Sequence, residues 1–124
     1  MKIVEEADPD AGKRELIARH LRANNLARMP HLPKVASTHA LFVEDEVGEV
    51  VGGLWADRLF DWIFIELVVV PENMRGKGIG AGLMAHIEAR ARDLGCIGVW
   101  LDKFGFQARG FYEKLGYSCF ATLE

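Results

Sequence analysis

The amino-acid sequence predicts a single mixed α/β domain, residues 1–124, in which helices cover both faces of a mixed β-sheet. Three observations support this fold class. Runs rich in β-branched and aromatic residues alternate with segments whose apolar residues recur at helical spacing. The strongest apolar run, residues 62–70, predicts a buried central strand that leads through a glycine-rich turn into a long amphipathic helix. With 124 residues, the chain can form one hydrophobic core but not two.

The predicted elements follow the order β-α-β-β-β-α-β-α-β. Strands are predicted at residues 2–7, 39–44, 49–56, 62–70, 96–101 and 117–122. Helices are predicted at residues 11–29, from the glycine-rich turn to residue 94, and at residues 107–115. Asp8-Pro9-Asp10 precedes the first helix, and an acidic turn around Gly48 joins two strands into a hairpin. Pro71 ends the central strand because it has no N–H group for the ladder.

Composition restricts the class of protein. Half of the residues are hydrophobic, which is typical of a globular chain, and no apolar run approaches the ~20 residues of a membrane span. Residues 1–10 lack the basic start and apolar core of a secretory signal, so the expected location is the cytoplasm. A net charge of −3 argues against nucleic acid as a partner. The two cysteines and four histidines show no ligand spacing, so no metal site is expected.

The glycine-rich turn, from Arg75 to Gly80, has the arrangement of an anion site. A helix begins with N–H groups that have no partner inside the helix and with partial positive charge from its dipole. Glycines let a phosphate approach the backbone, and Arg75 and Lys77 add full charges. The turn is not a P-loop, because Gly78 rather than Ser or Thr follows Lys77.

Two other interpretations of this turn stay open at this point. Gly76, Gly78 and Ala81 match a G-x-G-x-x-A dinucleotide fingerprint, and Asp102 lies where a ribose-binding acid is expected. Against that interpretation, the segment PENMR separates the strand from the first glycine, and the chain has no room for a second mononucleotide half. The alternative without a ligand is an ordinary strand-to-helix turn with a solvated arginine and lysine.

A further pattern in the same turn is more specific. Arg-x-x-Gly-x-Gly, Arg75 to Gly80, follows a strand that ends Val68-Val69-Val70, and the sequence GFYEKLGY occupies Gly110 to Tyr117. The first pattern resembles the acetyl-CoA-binding motif of the GNAT superfamily of N-acetyltransferases. The second resembles that family's terminal FYEKLGF-type motif. The resemblance covers the chain from about Leu41 to Thr122.

This resemblance implies a GNAT-like acyl-CoA N-acyltransferase fold with acetyl-CoA as co-substrate. In that family the central strand splays from its neighbour, and the pantetheine arm pairs with the opened backbone. The residues that the resemblance assigns to cofactor binding are Val68, Val69, Val70, Arg75, Gly76, Lys77, Gly78, Ile79, Gly80 and Gln107. Many members carry an Asn seven residues before the motif tyrosine, where this chain has Gly105, so Gln107 is the assignment with the weakest basis.

Acetyl transfer to an amine needs a base for the amine and an acid for the leaving thiolate. Glu66 is the only ionisable residue in the apolar run and matches the position of a catalytic Glu in several GNAT enzymes, so it is the predicted base. Tyr112 occupies the family's tyrosine position and is the predicted acid, since a phenol is protonated at neutral pH. The alternatives are a Glu66 that faces solvent or bonds an arginine, and a Tyr112 that only packs in the core with Phe111.

The resemblance therefore implies an N-acetyltransferase that moves an acetyl group from acetyl-CoA to a primary amine by direct attack in a ternary complex. The acceptor is a small molecule or a protein, and acids such as Asp57 and Asp61 either are solvated turn residues or attract a cationic amine. The alternatives are a non-catalytic acyl-CoA-binding module and a nucleotide-binding regulatory domain.

The end of the chain departs from the family's pattern. In the family, one more strand follows the strand predicted here at residues 117–122, whereas this sequence stops at Glu124. Either the final strand shifts to pair with its neighbour, or a second chain supplies the missing edge. A homodimer is the expectation.

Overall fold

The computed structural model of the chain describes residues 1–31, 36–103 and 109–122. These residues fall into two compact units, Met1–Lys34 and Val35–Glu124. The first unit contains one helix, and the second contains a β-sheet with further helices.

The helix of the first unit, α1, spans Ala11–Arg28, one residue less than predicted. The Asp10 side chain accepts a hydrogen bond from the Gly12 N–H at 3.4 Å, which satisfies one of the donors that a helix start leaves free. Residues 2–7 form no strand, so that prediction is wrong. A suitable side-chain pattern is not sufficient for a strand, because the backbone also needs a neighbouring strand, and the described part of this unit contains none.

The second unit is built on a four-stranded sheet in the order β1-β2-β3-β4. Its elements are β1 (Ala36–Glu44), β2 (Val50–Leu59), β3 (Trp62–Val69), a 3-10 helix (Glu72–Met74), α2 (Ile79–Asp93), β4 (Gly98–Leu101) and α3 (Arg109–Lys114). Strands β1, β2 and β3 are antiparallel neighbours, whereas β3 and β4 are parallel. The mixed sheet and its helices confirm the predicted fold class, but within the described part of this unit the helix cover predicted for both faces is found on one face only.

The β1–β2 hairpin closes on the predicted acidic turn. The Asp45 carboxylate accepts hydrogen bonds from the N–H groups of Val47 and Glu49 at 3.0 and 2.9 Å. Gly48 has a φ of 84°, a left-handed conformation that glycine adopts without a Cβ clash. Both strands are longer than predicted, because the ladder continues into polar pairs such as Ser37 and Arg58.

One face of the sheet, here called the core face, is covered by helix α2. Strands β2 and β3 place four residues on it that are at most 3% exposed: Leu54, Ala56, Ile63 and Ile65. Helix α2 contributes the buried residues Leu83, Met84, Ile87 and Ala91. Full burial of a large aliphatic side chain is worth about 1.5–3 kcal/mol, so this layer is the main source of stability in the unit.

The opposite face, here called the open face, carries all three tryptophans of the chain. Successive side chains of a strand point to opposite faces of the sheet, so Phe64, between the buried Ile63 and Ile65, points to the open face. Trp100 pairs with Phe64 and therefore lies on the same face. Trp55 likewise lies between two core-face residues of β2. The exposed fractions of Trp55, Trp62 and Trp100 are 41%, 42% and 41%.

Residues 117–122 form no strand, so the predicted final strand is wrong. Strand β4 is also shorter than predicted at its start. The N–H groups of Cys96 and Ile97 donate to the carbonyl oxygens of Ala91 and Asp61, at 2.8 and 2.6 Å, so these residues belong to the turn that connects α2 to β4. The apolar pattern located these segments near the core, but it did not determine their backbone partners.

Candidate active site

Strand β3 extends beyond its parallel neighbour. Pairing with β4 covers only Trp62 to Ile65, whereas pairing with β2 continues to Val69. Within the described residues, the later part of β3 therefore has a strand on one side only. We call residues 66–70 the free edge. The predicted residues Val68, Val69 and Val70 all lie there, and those of their backbone N–H and C=O groups that point away from β2 and accept or donate no other bond are available to an extended ligand.

A β-bulge places Glu66 at the start of the free edge. Trp55 pairs with Leu67, and the next residue of β2, Ala56, pairs with Ile65, so Glu66 is the extra residue of β3. A bulge interrupts the ladder and redirects a side chain, and bulges are frequent beside active sites. Glu66 is exposed, although it lies in the apolar run that predicted a buried strand. A substrate can reach its carboxylate from solvent.

The turn after the free edge has the backbone of an anion site. Gly76 and Gly78 have φ values of 80° and 77°, which favour glycine. Helix α2 begins at Ile79, and its N-cap residue, Gly78, offers no side-chain cap. The Gly82 N–H makes the first bond of the helix, to the Gly78 carbonyl at 2.9 Å. The preceding N–H groups, including those of Ile79 and Gly80, are left for a ligand, as at any helix start.

Two cationic side chains belong to this turn. The Arg75 Nε donates a hydrogen bond to the Val70 carbonyl at 3.2 Å, which holds the guanidinium where the free edge meets the turn. Lys77 is exposed between the two left-handed glycines. The first turn of α2 contains no acidic residue. Positive charge from both side chains and from the helix dipole is therefore concentrated at one place.

Gly80 has a different role from the other two glycines. A Cβ at Gly80 would lie 3.1 Å from Cζ of Phe111 and 3.6 Å from Cγ2 of Val70. At Gly76 and Gly78, by contrast, a Cβ would meet no atom within 4 Å. Gly80 therefore allows helix α3 to pack closely against the start of α2, beside the turn.

Helix α3 carries Tyr112 next to this contact. The Tyr112 ring lies 5.2 Å from the Phe111 ring and 6.2 Å from the Tyr117 ring, and it packs against the core cluster. Burial raises the pKa of Tyr112, so the phenol stays protonated at neutral pH and remains able to donate a proton. Packing and the proposed acid role are compatible for this residue.

Tyr117 is a feature of the site that the sequence did not indicate. Its hydroxyl is buried and has no hydrogen-bond partner among the described residues. Burial, with smaller contributions from Glu88 and Tyr112, raises the pKa of Tyr117 to about 12. The available signal was that this chain has a tyrosine where the motif it resembles ends in phenylalanine.

Gln107 and Gly105 lie outside the described residues. Within residues 1–31, 36–103 and 109–122, no three His, Cys, Asp or Glu side chains are placed to hold a metal ion. In the same ranges, no helix has the length and hydropathy needed to cross a membrane.

Comparison with known proteins identifies the class to which this fold and site belong. A family model described as the acetyltransferase (GNAT) family matches residues 3–117, and the chain belongs to this family. An acetyltransferase of Agrobacterium fabrum is 33% identical over 114 residues, which are 92% of this chain and 82% of that protein. A blasticidin-S acetyltransferase of Streptomyces morookaense is 40% identical over 86 residues, which are 68% of this chain but only 63% of that protein.

Solved structures agree with this assignment. A structure from Agrobacterium tumefaciens described as an acetyltransferase has a TM-score of 0.89 and 31% identity, over 100% of this chain and 89% of that chain. An acetyltransferase structure from Bacillus cereus has a TM-score of 0.76 and 30% identity, over 97% of this chain and 85% of that chain. The GNAT resemblance predicted from two short motifs is therefore confirmed, and with it a transferase of the acetyltransferase class.

Proposed function

We propose that this protein transfers the acetyl group of acetyl-CoA to a primary amine by direct attack within a ternary complex. One observation carries the proposal: the free edge of β3 leads, through the 3-10 helix and the glycine-rich turn that contains Arg75 and Lys77, to the uncapped start of α2. An extended chain that ends in phosphates needs this combination. Unpaired strand backbone binds the chain, and helix N–H groups with two cations bind the phosphates.

In this proposal the pantetheine arm pairs with the backbone of Val68 and with the N–H of Val70, whose carbonyl accepts the Arg75 hydrogen bond. The turn from Arg75 to Gly80 receives the pyrophosphate, mainly through backbone N–H groups. Gly76 and Gly78 fit this role because their surroundings are open, so phosphate oxygens can approach the main chain. Gly80 contributes by holding α3 against the turn.

The proposed chemistry uses one proton acceptor and one proton donor. Glu66 removes a proton from the acceptor ammonium, directly or through water, because only the neutral amine is a nucleophile. The amine nitrogen then attacks the thioester carbon, and the C–S bond breaks as the new C–N bond forms. Tyr112 donates its proton to the departing thiolate, and the nitrogen releases its second proton, to Tyr112 or to water, as the neutral amide forms. The products are the N-acetylated amine and free CoA.

The exposure of Glu66 supports a base that receives its substrate from solvent. A carboxylate at a bulge, at the start of the free edge, is accessible to an amine while the cofactor arm lies along β3. Because the Streptomyces relative is named for blasticidin S, we include blasticidin S among the proposed acceptors.

The test is a turnover assay that measures free thiol release from acetyl-CoA with a panel of amines, including blasticidin S. Amine-dependent release with formation of the acetylated amine is expected. CoA binding without release for any amine would instead indicate a non-catalytic acyl-CoA-binding module. Protection against heat by NAD or ATP, but not by acetyl-CoA, would favour a nucleotide-binding domain.

A further inference from the structure

The open face of the sheet is unusual in holding every tryptophan of the chain at its surface. Monomeric proteins rarely leave large aromatic side chains together at about 40% exposure unless something binds there. We infer that the acceptor is a cationic amine joined to a planar apolar group, and that Trp55, Phe64 and Trp100, here called the aromatic platform, bind that group. This inference rests on the proposed function and adds the class of acceptor.

Strand pairing places the residues of the aromatic platform before and after the proposed base along β3. Phe64 pairs with Trp100 across β3 and β4, one pair before the two strands separate, and their ring centroids are 4.5 Å apart with planes tilted by 40°. Trp55 lies opposite Leu67, the residue after the bulge. Directly paired residues have Cβ atoms about 5 Å apart. Glu66 therefore lies between the Phe64–Trp100 pair and Trp55.

Charge on this face favours a cation. The charged residues that the central strands β2 and β3 present here are Asp57 and Glu66. The basic side chains of the four strands are His39 and Arg58, and both alternate to the core face, where Arg58 donates to the Leu94 carbonyl at 3.3 Å. Thr38 donates to one oxygen of Asp57 at 2.9 Å, and the Asp57 side chain is half-buried.

The carboxylates and the aromatic rings of this face together favour an acceptor that has both a positive charge and a flat apolar group. An ammonium group is attracted by the two carboxylates and by the negative faces of the aromatic rings. A flat apolar body gains by covering aromatic surface that is otherwise in contact with water. A short aliphatic amine has the charge without the flat body, and an aromatic acid has the body with the wrong charge.

Calorimetry on the CoA-saturated protein separates these properties without requiring turnover. We expect 2-phenylethylamine to bind about tenfold more tightly than n-butylamine, and 3-phenylpropionate to show no binding. Trp100→Leu should remove the preference for the aromatic amine, whereas Trp100→Phe, which keeps a ring, should retain most of it. A wild-type affinity for CoA in Trp100→Leu shows that its loss of preference is not a folding defect.

Trp62→Leu is the matched control. Trp62 lies on the same face with an exposed fraction of 42%, against 41% for Trp100, but it is four residues from Glu66, about 13 Å along β3. Its loss should leave the preference unchanged. Equal binding of 2-phenylethylamine and n-butylamine to the wild-type protein would overturn the inference. So would a concentration-dependent dimer that Trp100→Leu dissociates, because the open face would then be occupied by a second copy.

The outcomes also distinguish this inference from the proposed function. Acetyl transfer to n-butylamine and 2-phenylethylamine with equal kcat/KM would support the function and refute the acceptor class. Platform-dependent binding of 2-phenylethylamine without thiol release would support the acceptor class and refute the function.

Discussion

The turn from Arg75 to Gly80 and the open face around Glu66 are constructed in different ways. The turn is made of consecutive residues, and its chemistry comes from backbone conformation: two left-handed glycines and an uncapped helix start. The open face around Glu66 is made of side chains from β2, β3 and β4 that are far apart in sequence. The first region suits a ligand common to a whole family, and the second suits a ligand that differs between its members.

This difference has a consequence for substitutions. A change in the turn should alter cofactor affinity through the main chain, whereas a change near Glu66 or Tyr112 should alter turnover and leave cofactor affinity intact. The following experiments test that separation.

The largest effect is expected from Tyr112→Phe. Losing a general acid typically lowers the rate by ~10²-fold or more, and kcat should fall by this amount at every pH, while the affinity for CoA stays unchanged. Because burial raises the pKa of Tyr112, the wild-type enzyme should not lose this proton donor below the ordinary phenol pKa of about 10. Steady-state kinetics and calorimetry with CoA measure the two quantities. Wild-type kcat in the variant, with chemistry rate-limiting, would remove Tyr112 from the mechanism.

Gly78→Val should damage the turn. The left-handed φ of 77° costs a residue with a Cβ about 1–2 kcal/mol, and the displaced N–H groups should weaken CoA binding by about tenfold or more. Arg75→Ala should cost only a few-fold, since an exposed charge contributes about 1 kcal/mol or less. Gly82→Ala is the control: its surroundings are open, so helix stability should rise by up to about 1 kcal/mol with CoA binding unchanged. Equal CoA affinity in Gly78→Val and the wild type would contradict a backbone-built phosphate site.

Glu66→Gln should have an effect that depends on pH. At low pH the amine is protonated and needs the base, so turnover should fall by about tenfold or more. As pH rises towards the pKa of the amine, the neutral form becomes available without help, and the ratio of wild-type to variant kcat/KM should approach one. A ratio that does not change with pH would argue that Glu66 positions the acceptor and does not accept its proton.

Tyr117→Phe should have the smallest effect on activity and a small, opposite effect on stability. Removing a buried hydroxyl that lacks a partner should raise the free energy of unfolding at neutral pH by up to about 1 kcal/mol. In the folded protein the pKa of Tyr117 is about 12, against about 10 for an unfolded tyrosine, so the folded state holds this proton more tightly.

The pH dependence of unfolding tests the sign of this effect. Relative to the ionised phenolate, the protonated phenol of Tyr117 favours the folded state, and this difference is fully present below about pH 10 and is lost as pH rises to about 12. In Tyr117→Phe, this part of the alkaline loss should disappear. Urea unfolding of both proteins at neutral pH and at about pH 11 measures it. A variant that is clearly less stable at neutral pH would show that the hydroxyl has a bonding partner.

The sequence predicted the parts of the fold that depend on local pattern. The α1 and α2 helices, the β1–β2 hairpin and the central strand were located within a few residues, because helical spacing and turn residues are local signals. Residues 2–7 and 117–122 were predicted as strands and are not, because a strand depends on a neighbour that pattern alone does not supply. The bulge at Glu66 was missed for the same reason, since it is a property of the pairing between two strands.

For the site, the sequence indicated the turn and both proposed catalytic residues, but not the environment of either one. Glu66 was expected in a buried strand and is exposed. The aromatic platform could not be predicted from the sequence, because only the register of the strands places Trp55, Phe64 and Trp100 near one another on the same face. The proposed cofactor-binding residues form contiguous motifs that can be recognised in a sequence. The proposed acceptor-binding residues come from three strands, so they can be identified only in the folded sheet.

The Arg75–Val70 hydrogen bond gives the free edge a fixed length. At one end, the bulge at Glu66 interrupts the ladder; at the other, the guanidinium occupies the Val70 carbonyl. Val70 lies four positions after Glu66, about 13 Å at the usual rise per residue. When the phosphates of a ligand bind at the turn, the distance from them to Glu66 is fixed. Only a linker of matching length then brings the reactive carbon of the ligand to Glu66. An acyl carrier with a shorter arm between phosphate and sulfur would bind the same turn and leave its thioester out of the base's reach.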